Sequence, residues 1–127
     1  MRKYSEYGEL TSAIIGCAIE VHRHLGSGLL EATYQTCLIY ELEEKGLNLH
    51  SEVGLPVIYK KIEMDQGYRI DILVENVVVI ELKTVELFTP AHYAQILTYM
   101  TLGKYPLGFL LNFHVKMLKE GIKRFVL

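Results

Sequence analysis

Along residues 9–25 the apolar positions Leu10, Ala13, Ile14, Cys17, Val21 and Leu25 recur at helical spacing and gather into one stripe. "LGSG" at 25–28 interrupts the pattern. A second helix is predicted over 29–45, with Leu30, Tyr34, Cys37, Leu38 and Leu42 on one face and Gly46 placed as its C-terminal cap. The period then shortens to two. Strands are predicted over 52–60 ("EVGLPVIYK"), 68–74 ("YRIDILV") and 77–83 ("VVVIELK"), with "KIEMDQG" and "EN" as turns. Residues 89–103 read as a third helix with Thr89 as N-cap, Pro90 at its first position and Gly103 just past its end. A continuous apolar strand, "PLGFLLNF" at 106–113, and a shorter one in "GIKRFVL" complete an α-α-β-β-β-α-β-β order. Such an order predicts an α/β domain whose mixed sheet is covered by helices on both faces.

At 127 residues, half of them hydrophobic, the chain suits a single domain over 1–127 with a sizeable core. No segment reaches the roughly 18 apolar residues of a membrane span and no N-terminal run resembles a signal peptide, so a cytoplasmic protein is expected. Cys17 and Cys37 lie in apolar helical patterns with no second Cys or His at ligand spacing, which predicts reduced core thiols. The net charge of −2 does not advertise a nucleic-acid binder, although Lys116, Lys119, Lys123 and Arg124 cluster near the C-terminus and Lys60 and Lys61 form a second small group.

The unusual chemistry lies in the hairpin 69–83. An ionised side chain is costly to bury unless paired, hydrogen-bonded or metal-bound, yet this apolar stretch carries Asp71, Glu81 and Lys83. Glu81 and Lys83 share a strand face. A two-residue turn at Glu75 and Asn76 would put Asp71 opposite Ile80, on the other face. A three-residue turn over 74–76, with Asn76 left-handed, would set Asp71 opposite Val79 and diagonal to Glu81, leaving Ile70, Ile72, Val78, Ile80 and Leu82 to fill the far face. We therefore expect the odd-length loop. Two carboxylates that meet in this way call for a neighbouring cation. Lys83 could serve in a structural salt-bridge cluster, or a hard divalent ion such as Mg²⁺ or Mn²⁺ could bind.

The spacing Asp71, then Glu81-Leu82-Lys83, resembles the PD-(D/E)XK nuclease signature, with Ile70 where the signature has Pro. "GLLEATY" at 28–34 is similar to the Gly-x-x-Glu-x-x-Tyr motif of the GxxExxY family of small bacterial and archaeal proteins, and "QILTY" at 95–99 resembles the Gln-x-x-x-Tyr motif of nuclease domains in bacterial recombination-repair complexes. "IEVHRHLGSGLLE", "LPVIYK", "VIELKTVE" and "LLNFHV" extend the GxxExxY resemblance along nearly the whole chain.

The resemblance implies a nuclease-like core and hydrolysis of nucleic-acid phosphodiesters, DNA in preference to RNA, with Mg²⁺ or Mn²⁺. It implies that Asp71, Glu81 and the Leu82 backbone carbonyl bind metal, that Lys83 orients or deprotonates the attacking water, and that Glu31 completes the metal shell or holds a water. Gln95 and Tyr99, four apart on one helix face, would position the lysine, the substrate phosphate or a base, with His22 as a further supporting residue. The chain holds little beyond this core, so a homodimer or a partner protein is expected to contribute specificity. The reading from a different class is a non-catalytic binding or regulatory module that keeps the fold. Hydrolysis of a small phosphorylated metabolite is a third, though no Gly-rich phosphate loop accompanies it.

Overall fold

The computed structural model describes residues 7–127; the first six residues of the expected domain lie outside the described part. Helices α1 (Gly8–Leu25) and α2 (Glu31–Glu44) come first. They are followed by β1 (Leu49–Gly54), β2 (Val57–Tyr59), β3 (Ile62–Met64), β4 (Arg69–Val74) and β5 (Val78–Lys83). Helix α3 (Pro90–Gly103), β6 (Leu107–Asn112), a 3-10 turn at Leu118–Gly121 and β7 (Ile122–Val126) complete the chain. Five strands form one sheet in the order β1-β4-β5-β6-β7, and β2 and β3 pair as a separate hairpin. β5 and β6 are parallel, joined across the sheet by α3, and the other neighbours in the sheet are antiparallel.

The helix boundaries follow local chemistry. Thr89 and His92 form a reciprocal capping box, and Pro90 needs no donor at the first turn. Lys104, not Gly103, takes the left-handed position that ends α3. Gly46, at φ 77°, follows α2 as expected.

Both faces of the sheet are covered. Ile72, Val74, Val78, Ile80 and Leu82 pack with α1 and α2 around the fully buried Tyr34, Leu38 and Phe113. Leu73, Val79 and Leu110 pack against Ile96, Tyr99 and Met100 of α3 on the other side. Complete burial of each such side chain contributes roughly 1.5–3 kcal/mol. Cys17 is buried, Cys37 is half-buried, and both are free thiols. Among the described residues no helix is long and apolar enough to cross a membrane.

Three details of the strands differ from expectation. The run 52–60 is two strands, because Pro56 has no N–H to continue a ladder. The stretch expected as a turn contains β3, and the actual turn is Lys60-Lys61, with Lys60 at φ 55°. Ile70 packs with Leu55, Val79 and the α3 side chains, on the opposite face from Ile72. The alternation of β4 therefore slips at Asp71, beside which Glu52 of β1 sits at φ 53° within an otherwise continuous register.

Candidate active site

The odd-length loop that would bring the two acids onto one face is present, displaced by one residue. The Val77 N–H donates to the Val74 carbonyl, closing a tight turn on Glu75 and Asn76, at φ 54° and 55°. Val77 is then an extra residue before Val74 pairs with Val78. The three loop residues are 75–77 and not 74–76, so the register differs by two from expectation. Asp71 lies one step beyond the last pair, Ile72 with Ile80, and is thus level with Glu81 instead of diagonal to it.

At that level the side chains take over the ladder. The Asp71 N–H donates to Glu81 Oε2 at 2.7 Å, and the Leu82 N–H donates to Asp71 Oδ2 at 2.8 Å. Each carboxylate thus fills a backbone bond that the diverging strands no longer make. Among the described residues, Asp71 Oδ1 and Glu81 Oε1 accept no hydrogen bond. Glu81 is 3% exposed. Burial, then the neighbouring Asp71, pushes its carboxyl up to about 8; burial similarly raises Asp71 to about 6, against the pull of the Leu82 N–H.

The salt-bridge account of this cluster does not fit. Among the described residues Lys83 forms no ion pair with either acid. Its ammonium donates to Gln95 Oε1 at 3.1 Å, and Gln95 Nε2 in turn donates to the Tyr99 hydroxyl at 3.3 Å. Burial and the charge of Glu81 raise the Tyr99 phenol, while Gln95 and a backbone hydrogen bond from Arg69 hold it back. Lys83, Gln95 and Tyr99 therefore form one chain of contacts from β5 to α3.

Glu31, the first residue of α2, faces this group from the other helix layer. Burial raises its carboxyl, the Lys83 charge lowers it and Glu52 raises it again. The residues around Glu31 explain the Gly28–Glu31–Tyr34 spacing. Gly26 and Gly28 take φ 72° and 102°, and the buried Tyr34 hydroxyl donates to the Gly26 carbonyl at 2.5 Å while accepting from the Leu29 N–H at 3.2 Å. The Tyr34 ring stacks on Phe113 at 4.6 Å, and the Phe113 N–H donates to the Lys83 carbonyl at 2.9 Å. One tyrosine thus ties the loop before Glu31 to the strand that carries Lys83.

His22 stands apart from this group. It is buried in α1 with Nε2 bonded to the Val115 carbonyl at 2.8 Å and its ring near Phe113, the arrangement of a satisfied core histidine. Two polar residues that the sequence reading missed do approach the site. Gln35, one turn after Glu31, donates to Glu52 at 2.8 Å and to the Asp71 carbonyl at 3.1 Å. Glu52 adds negative charge that raises both Glu31 and Asp71. Only the packing of α2 and β1 beside β4 reveals them; an exposed Glu on an edge strand has no signal of its own. Asn112, 3% exposed, holds the loop after Lys83 by exchanging two hydrogen bonds with the Val85 backbone.

The donors suit a divalent cation of the hard class. Two carboxylates each present an oxygen without a donor, in a buried setting where both ionise uphill, and a bound cation would reverse that cost. Among the described residues no group of three His, Cys, Asp or Glu side chains is placed to hold an ion. A carboxylate pair with water completing the shell is the donor set of Mg²⁺ or Mn²⁺.

The family model of the PD-(D/E)XK nuclease superfamily matches residues 8–125, nearly the whole chain, and the protein belongs to that superfamily. Its members typically use a divalent metal. No curated protein and no solved structure matches the chain significantly.

Proposed function

We propose that this protein is a metal-dependent nuclease that hydrolyses phosphodiesters, DNA in preference to RNA. The observation that carries the reading is the Asp71–Glu81 pair. The two acids are level on adjacent strands and braced by backbone N–H groups, each with an oxygen to spare, and Lys83 lies two residues along the same face. Asp71, Glu81 and the Leu82 carbonyl would hold Mg²⁺ or Mn²⁺. When bound, the ion supplies Lewis acidity to the scissile phosphate and lowers the pKa of water.

The remaining work falls to the chain. Gln95 fixes the Lys83 ammonium where it can orient the attacking water and stabilise negative charge developing on the phosphate. Tyr99 holds Gln95. Glu31, whose carboxyl the Lys83 charge lowers, orients a water. The sheet register also supports a polyanionic substrate. Lys83 pairs with Asn112 and Leu111 with Ile122, so Lys116, Lys119 and Lys123 gather at the same end of the sheet as the acids. That local cluster offsets the net charge of −2. A second copy or a partner protein would contribute the rest of the binding surface.

The test is cleavage of single-stranded, duplex and structured DNA and RNA with Mg²⁺ or Mn²⁺. Activity is expected to vanish in Glu81→Ala and Lys83→Ala and to survive in Lys104→Ala. A folded, Mn²⁺-loaded protein that cuts none of these substrates would point instead to the binding-module reading, which the overall negative charge favours.

A further inference from the structure

On the α3 side of the site a cavity of about 390 Å³ opens against Gln95, the residue that holds the Lys83 ammonium. Val57, Tyr68, Ala94, Gln95, Thr98 and Tyr99 are among its walls, so Gln95 and Tyr99 belong to both the cavity and the contact chain that holds Lys83. The volume falls within the ~300–1,000 Å³ usual for small-ligand sites. We infer that this cavity receives one unpaired nucleobase next to the scissile phosphate, and hence that the substrate is single-stranded, or unpaired, at the point of cleavage. The inference rests on the nuclease reading above and names its substrate class.

The chemistry of the walls supports a base. Small side chains at 91, 94 and 98 leave one face of α3 hollow, and Tyr68 stands over the hollow, 44% exposed, its ring edge-on to Tyr99 at 6.5 Å. A planar ring can stack on the open tyrosine face. The Gln95 amide, the Thr98 hydroxyl and the Tyr99 hydroxyl offer donors and acceptors to its edge.

The surroundings match the phosphates on either side. Val57 begins the β2–β3 hairpin, whose turn is Lys60-Lys61. Arg69 follows Tyr68 directly and lies along Gly54, where an added Cβ would come within 2.9 Å of its Nη1. An apolar, aromatic slot with cations at its rim, beside an acidic centre, is how single strands are held without regard to sequence. A base stacked within a duplex could not enter it.

The test measures binding of a fluorescein-labelled single-stranded oligonucleotide and of the matching duplex by anisotropy, with Ca²⁺ replacing Mg²⁺ to suppress cleavage. The single strand is expected to bind at least ten-fold more tightly than the duplex. Tyr68→Ala and Ala94→Leu, which remove the platform and fill the hollow, are each expected to weaken single-strand binding about ten-fold, and Tyr68→Phe to retain it. Calorimetric Mn²⁺ affinity of all three variants should equal that of the parent, which shows them folded. Equal affinity for single strand and duplex, or unchanged single-strand binding in Tyr68→Ala and Ala94→Leu, would overturn the base pocket while leaving a nuclease that binds Mn²⁺ and cleaves. Absence of Mn²⁺ binding in the parent would overturn the nuclease reading and this inference with it.

Discussion

Asp71 and Glu81 brace each other across β4 and β5: the Asp71 N–H donates to the Glu81 carboxylate at 2.7 Å, and the Asp71 carboxylate takes the next N–H of β5, that of Leu82, at 2.8 Å. Where the two strands part, the acids replace the ladder. The arrangement is rigid, because moving either carboxylate would leave a buried N–H unsatisfied.

The pair makes the metal-free protein sensitive to alkali. Glu81 rises from 4.5 to about 8 and Asp71 from 3.8 to about 6 on folding, so between those limits the folded state holds protons that the unfolded chain has released. Stability is then greatest below about pH 4 as far as these groups are concerned, and falls as pH rises through 8, by an amount on the order of a few kcal/mol. Denaturation midpoints in EDTA are expected to drop from pH 5 to pH 8 by more in the parent than in Glu81→Gln. Added Mn²⁺ should raise the parent's midpoint most at pH 8 and leave that of Glu81→Gln little changed.

In the proposed mechanism Lys83 would act on the reaction and not on metal affinity. Lys83→Met is expected to reduce kcat by about 10²–10⁴ with Mn²⁺ affinity retained. Gln95→Ala, which releases the ammonium without removing it, should cost less. Single-turnover cleavage alongside calorimetry separates the two effects, and equal losses of metal affinity and rate would contradict this division of roles.

Tyr34→Phe keeps the stack on Phe113 and removes only the hydroxyl shared by Gly26 and Leu29. Two backbone groups lose a partner, for a destabilisation of about 1–3 kcal/mol. Faster amide exchange is expected at Leu29 and Leu30, with reduced kcat because Glu31 is no longer held in place.

Asn112→Ala opens the loop after Lys83. The Val85 N–H and carbonyl and the His114 N–H all lose the Asn112 side chain, so a loss of about 2 kcal/mol or more is expected. Limited proteolysis should cut near residues 84–88 in the variant and spare the parent. Chemical denaturation checks the energy.

Much of the fold was legible because it rests on local pattern. The stripes of α1 and α2, the Thr89-Pro90 start of α3 and the apolar β5 and β6 declare themselves by period and capping, and the structure places helices on both faces of a mixed sheet accordingly. The break at Pro56 was readable in principle, since proline cannot donate within a ladder. The strand between Lys61 and Asp65 was not: its residues are mostly polar or exposed, and β3 exists because β2 lies beside it.

At the candidate site, residue types and spacing picked out Asp71, Glu81 and Lys83, and the family resemblance added Glu31, Gln95 and Tyr99; the structure joins Asp71 to Glu81 and Lys83 to Gln95 and Tyr99, with Glu31 within reach of the Lys83 charge. It leaves His22 among core side chains, bonded to the Val115 carbonyl, because a lone histidine on a helix carries no information about which carbonyl folding will bring to it. Gln35 and Glu52 were invisible for the reverse reason.

By itself the sequence determined which strands are buried, and that an odd loop must join β4 to β5 if two acids are to share a face. Side-chain alternation and the cost of buried charge dictate both. Only the tertiary structure decided that the loop begins at Glu75, that Asp71 stands level with Glu81, and that Lys83 turns to Gln95 instead of neutralising the acids. Those outcomes depend on backbone N–H groups left unpaired where strands diverge and on a helix crossing overhead, relations between segments that no local pattern encodes.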